Sequence, residues 1–218
     1  MAHFEDDTNE YSTIHSSGES DVLGRLRRAT WLTTTKPQML SDPIQGRFLS
    51  IMSKMVRPMR ILELGTFTGY STICLAEGLA EGGSIDTIEI NDELESIQDE
   101  FWKEAGLENV NRYIGHAHEV IESGDLKGPY DLVWIDADKE HQISYVDFAV
   151  KNLREGGSLL VDNVIWGGAV LDEKKLAKPN SGASRIHRLN QHIADHPQLE
   201  NVLMPVWDGV QIAIKKAK

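Results

Sequence analysis

Most of the chain alternates between short apolar runs and longer stretches in which apolar residues recur at helical spacing. The short runs, which we predict to be strands, are RILEL, SIDTIEI, NRYIG, YDLVWID, SLLVDN, ENVLMPV and GVQIAIKK. The helical stretches that the spacing predicts are residues 70–81, 91–105, 117–123, 139–154 and 184–195. Strands that alternate with helices favour right-handed crossovers and a parallel sheet covered by helices on both faces.

The N-terminal part of the chain follows a different pattern. Residues 1–19 are polar and lack periodicity, so we predict a frayed tail or a segment ordered only by a partner. Residues 20–57 predict helices, and the clearer one begins within SDPIQ. There Asp42 is the predicted N-cap, Pro43 the first helical residue and Gln45 the residue that completes a capping box. These helices would form a lid beside the alternating region.

The last two apolar runs are joined by a tight turn at Asp208 and Gly209, which predicts an antiparallel pair. Together these patterns predict an α/β fold in which a doubly wound, mostly parallel, seven-stranded sheet of Rossmann-like type ends in an antiparallel C-terminal hairpin at its edge. The sequence contains no internal repeat or low-complexity linker, so we predict a single domain.

Charge and composition exclude several kinds of partner. Lys and Arg number 22 against 34 Asp and Glu, which gives a formal net charge of −12. A chain this acidic is a poor match to nucleic acid, because affinity for polyanions depends on cations that neutralise phosphates. We predict no membrane span and no ordinary signal peptide, since no apolar stretch is long enough and residues 1–21 are polar. A cytoplasmic location is the resulting expectation.

Acidic residues close three of the predicted strands, namely Glu89, Asp136 and Asp162. In open parallel sheets, ligands bind beyond the carboxyl ends of the strands, at the point where the strand order reverses. We therefore expect these acids to converge on one crevice. Each acid taken alone has an alternative explanation as a helix N-cap or a solvated loop residue.

The first strand-to-helix turn, ELGTFTGYS, suits a ligand without a diphosphate. A dinucleotide fingerprint reads G-x-G-x-x-G, but here Phe67 replaces the middle glycine and Tyr70 the third. We expect the turn formed by Gly65, Thr66 and Phe67 to contact the ligand. Glu89 lies 89 − 65 = 24 positions after the first glycine and is placed to accept from both ribose hydroxyls of a nucleoside. An amino acid joined to a nucleoside without phosphate describes S-adenosylmethionine.

Four segments together, ELGTFTGYS, IEIN, WIDADK and VDNVIWGG, resemble the small cation-dependent O-methyltransferases that include the catechol and caffeoyl-CoA enzymes. The upstream segment KPQMLSDPIQGRFL is also similar to the region before the first strand of that family. The resemblance covers roughly residues 20–218 and implies one methyltransferase domain over residues 1–218, with its cofactor-binding core at residues 58–218. It also implies a homodimer.

Two strand ends supply candidate metal ligands. Asp136, Asp162 and Asn163 offer carboxylate and amide oxygens without His or Cys, and such hard ligands suit Mg²⁺, with Mn²⁺ or Ca²⁺ as alternatives, rather than zinc. The resemblance assigns these same residues to the metal. The alternative is that Asp162 and Asn163 form a plain Asx turn.

The resemblance implies the remaining site residues. Lys139 and Asp136 would be the catalytic residues. Lys139, predicted at the start of a helix, would take the hydroxyl proton, because a nearby divalent cation disfavours the ammonium form. On its local sequence alone Lys139 is a surface lysine. The cofactor contacts that the resemblance adds are Met39, Glu63, Ser71 and Ala117. Met39 could instead be a core residue, and Glu63 a strand acid satisfied by backbone.

The expected activity is methyl transfer from S-adenosylmethionine to a vicinal-dihydroxy aromatic small molecule, catechol-like or hydroxycinnamoyl. The alternatives are a metal-independent small-molecule methyltransferase, a nicotinamide-dependent oxidoreductase on the same sheet and a catalytically silent cofactor-binding module. Phe67 and Tyr70 at the glycine positions count against the oxidoreductase.

Overall fold

A computed structural model describes residue 8 and residues 10–217 of the chain. Within these residues, seven strands form one sheet in the order β3-β2-β1-β4-β5-β7-β6. The strands are β1 (Arg60–Leu64), β2 (Ser84–Glu89), β3 (Val110–Ile114), β4 (Tyr130–Ile135), β5 (Leu153–Asp162), β6 (Leu199–Met204) and β7 (Val210–Lys215). Strands β1 to β5 pair in parallel, and the order reverses between β1 and β4. The predicted fold class is confirmed.

Helices connect and cover these strands. They are α1 (Asp21–Thr33), α2 (Pro43–Val56), α3 (Tyr70–Ala76), α4 (Glu95–Glu104), α5 (Ala117–Ser123), α6 (Gln142–Asn152), α7 (Glu173–Leu176) and α8 (Gly182–Ala194). Short 3₁₀ turns lie at Pro37–Met39, Asp92–Leu94 and Ala169–Leu171. Within the described residues, no helix is both long and apolar enough to cross a membrane.

The sheet buries a hydrophobic layer on each face. In β4, Leu132 and Trp134 pack in the layer shared with α1 to α4, whereas Val133 and Ile135 pack in the layer shared with α5, α6 and α8. Successive strand residues point to opposite faces, so a strand covered on both sides is predominantly apolar. This accounts for the apolar run at residues 132–135 of β4. It also directs the first polar residue after the strand, Asp136, to the edge where the parallel strands end.

The C-terminal hairpin lies at the sheet edge as predicted. Within it, β7 pairs antiparallel with both β5 and β6, so the reversed strand is internal and β6 is the edge strand. The loop after β5 is fastened to this hairpin, because the backbone N–H groups of Val164 and Ile165 donate to the carbonyl oxygens of Gly209 and Asp208.

Several predicted boundaries are wrong. Helix α3 ends at Ala76 rather than residue 81, and Gly78 beyond it approaches α2 so closely that a Cβ there would lie 2.2 Å from the Ser53 carbonyl carbon. Residues 10–14 are helical rather than frayed, and Glu19 accepts a hydrogen bond from the Tyr70 hydroxyl (2.9 Å). The alternative, that a partner orders this segment, stays a prediction. The rest of the predicted tail, residues 1–7 and 9, lies outside the described residues.

Candidate active site

A cleft of about 580 Å³ opens at the carboxyl ends of the central strands. The acids that follow or end β2, β4 and β5, Glu89, Asp136 and Asp162, all line it, as their positions in the sequence predicted. The other predicted site residues that line the same cleft are Met39, Gly65, Thr66, Phe67, Ser71, Ala117, Lys139 and Asn163. Met39 is 59% exposed, so its alternative interpretation as a core residue is wrong.

The turn between β1 and α3 brings the backbone close to the neighbouring strand end. Gly65 has φ +100°, and a Cβ there would lie 2.2 Å from the carbonyl oxygen of Asp136. Phe67 also has a positive φ, 49°, which is strained for a residue with a bulky side chain. Its backbone is held from both sides, since its N–H donates to Glu89 Oε2 (2.6 Å) and its carbonyl accepts from Gln98 Nε2 (2.6 Å).

Glu89 supports this turn and also faces the cleft. Besides the bond from Phe67, its Oε1 accepts the backbone N–H of Asn91 at 2.9 Å. Burial raises the pKa of the Glu89 carboxyl above its ordinary value, and the backbone hydrogen bonds act in the opposite direction. A carboxylate accepts about four hydrogen bonds, so Glu89 retains acceptor capacity for hydroxyl groups of a ligand in the cleft.

Glu63 lies beneath the cleft rather than on its surface. Its side chain is 0% exposed, and it accepts hydrogen bonds of 2.6 Å from the hydroxyls of Ser71, Thr72 and Thr87. Of the residues in this group, only Ser71 lines the cleft. The predicted contact of Glu63 with a ligand is therefore indirect, through Ser71. Burial raises the pKa of Glu63 to about 7, although the hydroxyl donors lower it.

Replacing Glu63 with glutamine should change how stability depends on pH. The folded-state pKa is raised from 4.5 to about 7, so the native protein binds more protons than the unfolded chain within that interval. The free energy of unfolding of the wild type should therefore fall as pH rises from 4.5 to 7, by about 3 kcal/mol from this group. Urea denaturation at several pH values should show that the free energy of unfolding of Glu63→Gln rises relative to that of the wild type by this amount between pH 4.5 and 7. Parallel pH curves for the two proteins would contradict the raised pKa.

Asp162 is a buried carboxylate with a fixed orientation. Its Oδ1 accepts the backbone N–H of Asn163 (2.8 Å), and its Oδ2 accepts from Gln45 Nε2 (2.7 Å). In an Asx turn, the Asp162 side chain would accept the backbone N–H of the residue two positions later, Val164. That N–H donates instead to the carbonyl oxygen of Gly209, so the Asx-turn alternative does not hold. Burial, and next the charge of Asp136, raise the pKa of Asp162 to about 6.

The donor set around Asp162 fits a hard divalent cation. Asp136, Asp162 and Asn163 line one cleft, and the effect of Asp136 on the pKa of Asp162 reflects two like charges near each other that a cation would stabilise. Within the described residues, no group of three His, Cys, Asp or Glu side chains could hold a metal ion. The side-chain amide of Asn163 and water would thus have to complete the coordination, an arrangement suited to Mg²⁺ rather than zinc.

Lys139 lies in a loop, and the prediction that it starts a helix is wrong. Helix α6 begins at Gln142, because the Asp138 side chain holds the preceding residues in a turn. Asp138 Oδ1 accepts the backbone N–H groups of Glu140 (3.0 Å) and His141 (3.1 Å), and Oδ2 accepts the hydroxyl of buried Tyr145. Lys139 is thereby directed into the cleft.

In the cleft, Lys139 lies beside the end of β4. Its Nζ is 3.5 Å from Asp136 Oδ1, and its side chain is mostly buried. The negative charge of Asp136, a predicted metal ligand, therefore holds the Lys139 amine at this position. Because a hydrogen bond of this length is weak, the amine is able to turn toward another partner in the cleft.

Gln45 is a cleft residue whose side-chain contact sequence reasoning missed. The capping-box pattern gave it a local role, but its side chain donates to Asp162 instead of returning to the helix terminus. Asp42 alone caps α2, since its Oδ1 accepts the N–H groups of Ile44 (2.7 Å) and Gln45 (2.9 Å). A buried amide has to find a partner, and burial of this position was not visible in the sequence.

Comparisons with known proteins identify the family of the chain. The model of a family described as O-methyltransferase matches residues 13–216. A catechol O-methyltransferase of Mycobacterium tuberculosis is 32% identical over 184 residues, which are 82% of this chain and 81% of the relative. A caffeoyl-CoA O-methyltransferase of Stellaria longipes is 29% identical over 201 residues, 88% of this chain and 82% of the relative.

A solved structure also matches over almost its full length. The O-methyltransferase from Bacillus cereus in complex with SAH has a TM-score of 0.87 and 27% identity, and the match covers 96% of this chain and 97% of that chain. The resemblance found in the sequence motifs is therefore confirmed, and it replaces the nicotinamide-dependent alternative. This chain belongs to the O-methyltransferase family.

Proposed function

We propose that the chain is an S-adenosylmethionine-dependent and divalent-cation-dependent O-methyltransferase that acts on a vicinal-dihydroxy aromatic small molecule. The observation that carries the proposal is a juxtaposition: Asp136, Lys139 and Asp162 line the same cleft as the Gly65 turn and Glu89. The cleft thus combines a candidate metal site with a candidate nucleoside site. Relatives named for catechol and caffeoyl-CoA, and a neighbour bound to SAH, support this assignment.

The residues of the cleft divide into those for the cofactor and those for the acceptor. Bound S-adenosylmethionine would supply a methyl group on a positively charged sulfur. Glu89 would accept from the ribose hydroxyls, and Ser71, backed by Glu63, would hold the amino-acid end. The remaining proposed cofactor contacts are Met39, Gly65, Thr66, Phe67, Ala117 and Asp136.

Asp136, Asp162 and Asn163 would hold the divalent cation, with Mg²⁺ preferred and Mn²⁺ or Ca²⁺ as alternatives. Such a cation supplies positive charge that favours the ionised form of an aromatic hydroxyl. Lys139 would receive the hydroxyl proton, a role supported by its position in the cleft with Nζ 3.5 Å from Asp136 Oδ1. With both reactants bound, the cleft walls would align acceptor and donor and exclude water, which matters because opposite charges combine in the transfer.

The family resemblance also supports a wider description of the chain. We propose a single methyltransferase domain whose cofactor-binding core lies at residues 58–218, beside N-terminal helices at residues 20–57. A homodimer is part of the same proposal. The cytoplasmic location stays a prediction from the sequence.

Methyl transfer to a panel of catechols and hydroxycinnamoyl esters tests the function. Purified protein should methylate at least one vicinal diol when S-adenosylmethionine and Mg²⁺ are present, and EDTA should stop the reaction until excess Mg²⁺ is added. Matched monohydroxy aromatics are the control, because they lack the second oxygen. Activity that is untouched by EDTA would favour the metal-independent methyltransferase. No transfer to any diol, from protein that binds S-adenosylhomocysteine, would contradict the proposed acceptor class.

A further inference from the structure

Gln45 joins the N-terminal helix α2 to the candidate metal site. The residue lies in the first turn of α2, is 7% exposed and lines the cleft. Its Nε2 donates to Asp162 Oδ2 over 2.7 Å, across a sequence separation of 117 residues. The bond therefore connects the lid region to the end of β5, where the predicted ligands Asp162 and Asn163 lie.

The helix itself does not need this side chain. The N-cap of α2 is satisfied by Asp42, which accepts two backbone N–H groups, and Pro43 occupies the first helical position. Buried glutamine is uncommon unless its amide has a partner. The partner that Gln45 has found is a carboxylate in the cleft, so a role in packing or capping alone does not explain the residue.

Both hydrogen-bond donors to Asp162 are neutral. Oδ1 receives the backbone N–H of Asn163, and Oδ2 receives the amide of Gln45. Neutral donors fix the plane of a carboxylate while leaving its negative charge available to a cation, whereas a lysine or arginine would compete with that cation. Each oxygen also keeps a further lone pair, because an ionised carboxylate has about four acceptor sites.

We propose that Gln45 is a positioning residue that orients Asp162 for a divalent cation. The inference rests on the proposed function, since it requires that Asp162 binds the metal. Partners that hydrogen-bond to metal-ligating carboxylates typically change metal affinity by about 10–100-fold when they are removed. Gln45 would thus make α2 a structural part of the metal site, although it supplies no ligand itself.

The experiment measures metal affinity rather than turnover. Mn²⁺ is titrated into the wild type and into Gln45→Leu, and free Mn²⁺ is followed by electron paramagnetic resonance. The variant should bind Mn²⁺ about 10–100-fold more weakly, while its affinity for S-adenosylhomocysteine, measured by calorimetry without metal, stays unchanged. Gln45→Met, which keeps an unbranched side chain of similar length, decides the result if Gln45→Leu does not fold.

Ser50→Ala is the matched control on the same helix. The buried Ser50 hydroxyl donates to Glu77 Oε2 (2.7 Å), so this variant also removes a hydrogen bond that holds α2 but leaves Asp162 untouched. It should lower the melting temperature without changing the Mn²⁺ affinity. Equal weakening in Ser50→Ala and in the Gln45 variants would show a general loosening of α2 and would overturn the positioning role.

The two possible failures are distinguishable. If the wild type binds Mn²⁺ and both Gln45 variants bind it equally well, the positioning role is wrong and the proposed function stands. If the wild type does not bind Mn²⁺ at all, the cation dependence and the inference are both overturned.

Discussion

Replacing Lys139 with alanine is expected to lower kcat by about 10²–10⁴-fold, the range typical for loss of a general base. Lys139 lines the cleft, its Nζ lies 3.5 Å from Asp136 Oδ1, and the loop that carries it is held by Asp138. The affinity for S-adenosylhomocysteine should not change, because no proposed cofactor contact is removed. Steady-state kinetics with a catechol, together with calorimetry, measures both quantities.

Lys139→Arg separates a base from a counter-ion. Arginine keeps a positive charge beside Asp136 but does not accept a proton at neutral pH. A role as counter-ion predicts that Lys139→Arg retains turnover, whereas a role as base predicts a loss as large as that of Lys139→Ala. Lys151→Ala, in the last turn of α6, is the control for the loss of a lysine elsewhere. Wild-type turnover in Lys139→Ala would remove Lys139 from the mechanism.

Gly65→Ala is expected to destabilise the protein by about 2–6 kcal/mol, since backbone strain and overpacking each cost about 1–3 kcal/mol. The added Cβ would lie 2.2 Å from the carbonyl oxygen and 2.8 Å from the carbonyl carbon of Asp136, and φ is +100°. These atoms are backbone, so they cannot move aside as a flexible side chain would. Relief of the clash must displace Asp136, and the affinity for Mn²⁺ should fall together with stability.

Gly82→Ala provides the comparison for this variant. Gly82 also has a positive φ, +75°, but a Cβ there would have nothing within 4 Å. Its substitution should show the backbone strain alone, about 1–2 kcal/mol. Chemical denaturation of both variants therefore isolates the effect of the close approach at Gly65. Equal losses of stability in the two variants would mean that the contact with the Asp136 backbone does not restrict the size of the residue at position 65.

The sequence predicted the sheet and the acids of the cleft because both follow from local patterns. Uninterrupted apolar runs such as Leu132–Ile135 occur in strands that are buried on both faces, and the carboxyl ends of parallel strands meet at one edge. The sequence therefore predicted, without knowledge of the strand order, that Glu89, Asp136 and Asp162 line one cleft. Metal binding itself is not decided by this placement and stays a prediction.

The features that sequence reasoning missed depend on competition between local and distant partners. Gln45 had a local explanation as part of a capping box, yet its amide bonds to Asp162. The start of α6 was placed too early, because Asp138 holds the N–H groups of Glu140 and His141 in a turn before the helix. Side-chain hydrogen bonds of this kind leave the apolar periodicity unchanged, so the hydrophobic pattern could not reveal them.

The internal position of β7 has a consequence for the newly made chain. β7 supplies the hydrogen-bonding partner of β5, and the turn before it receives the N–H groups of Val164 and Ile165. A nascent polypeptide therefore exposes an unpaired edge of β5 until β7 has left the ribosome. The cleft should consequently form only after β7 has been synthesised, and earlier nascent intermediates should depend on holdase chaperones that shield this edge from aggregation.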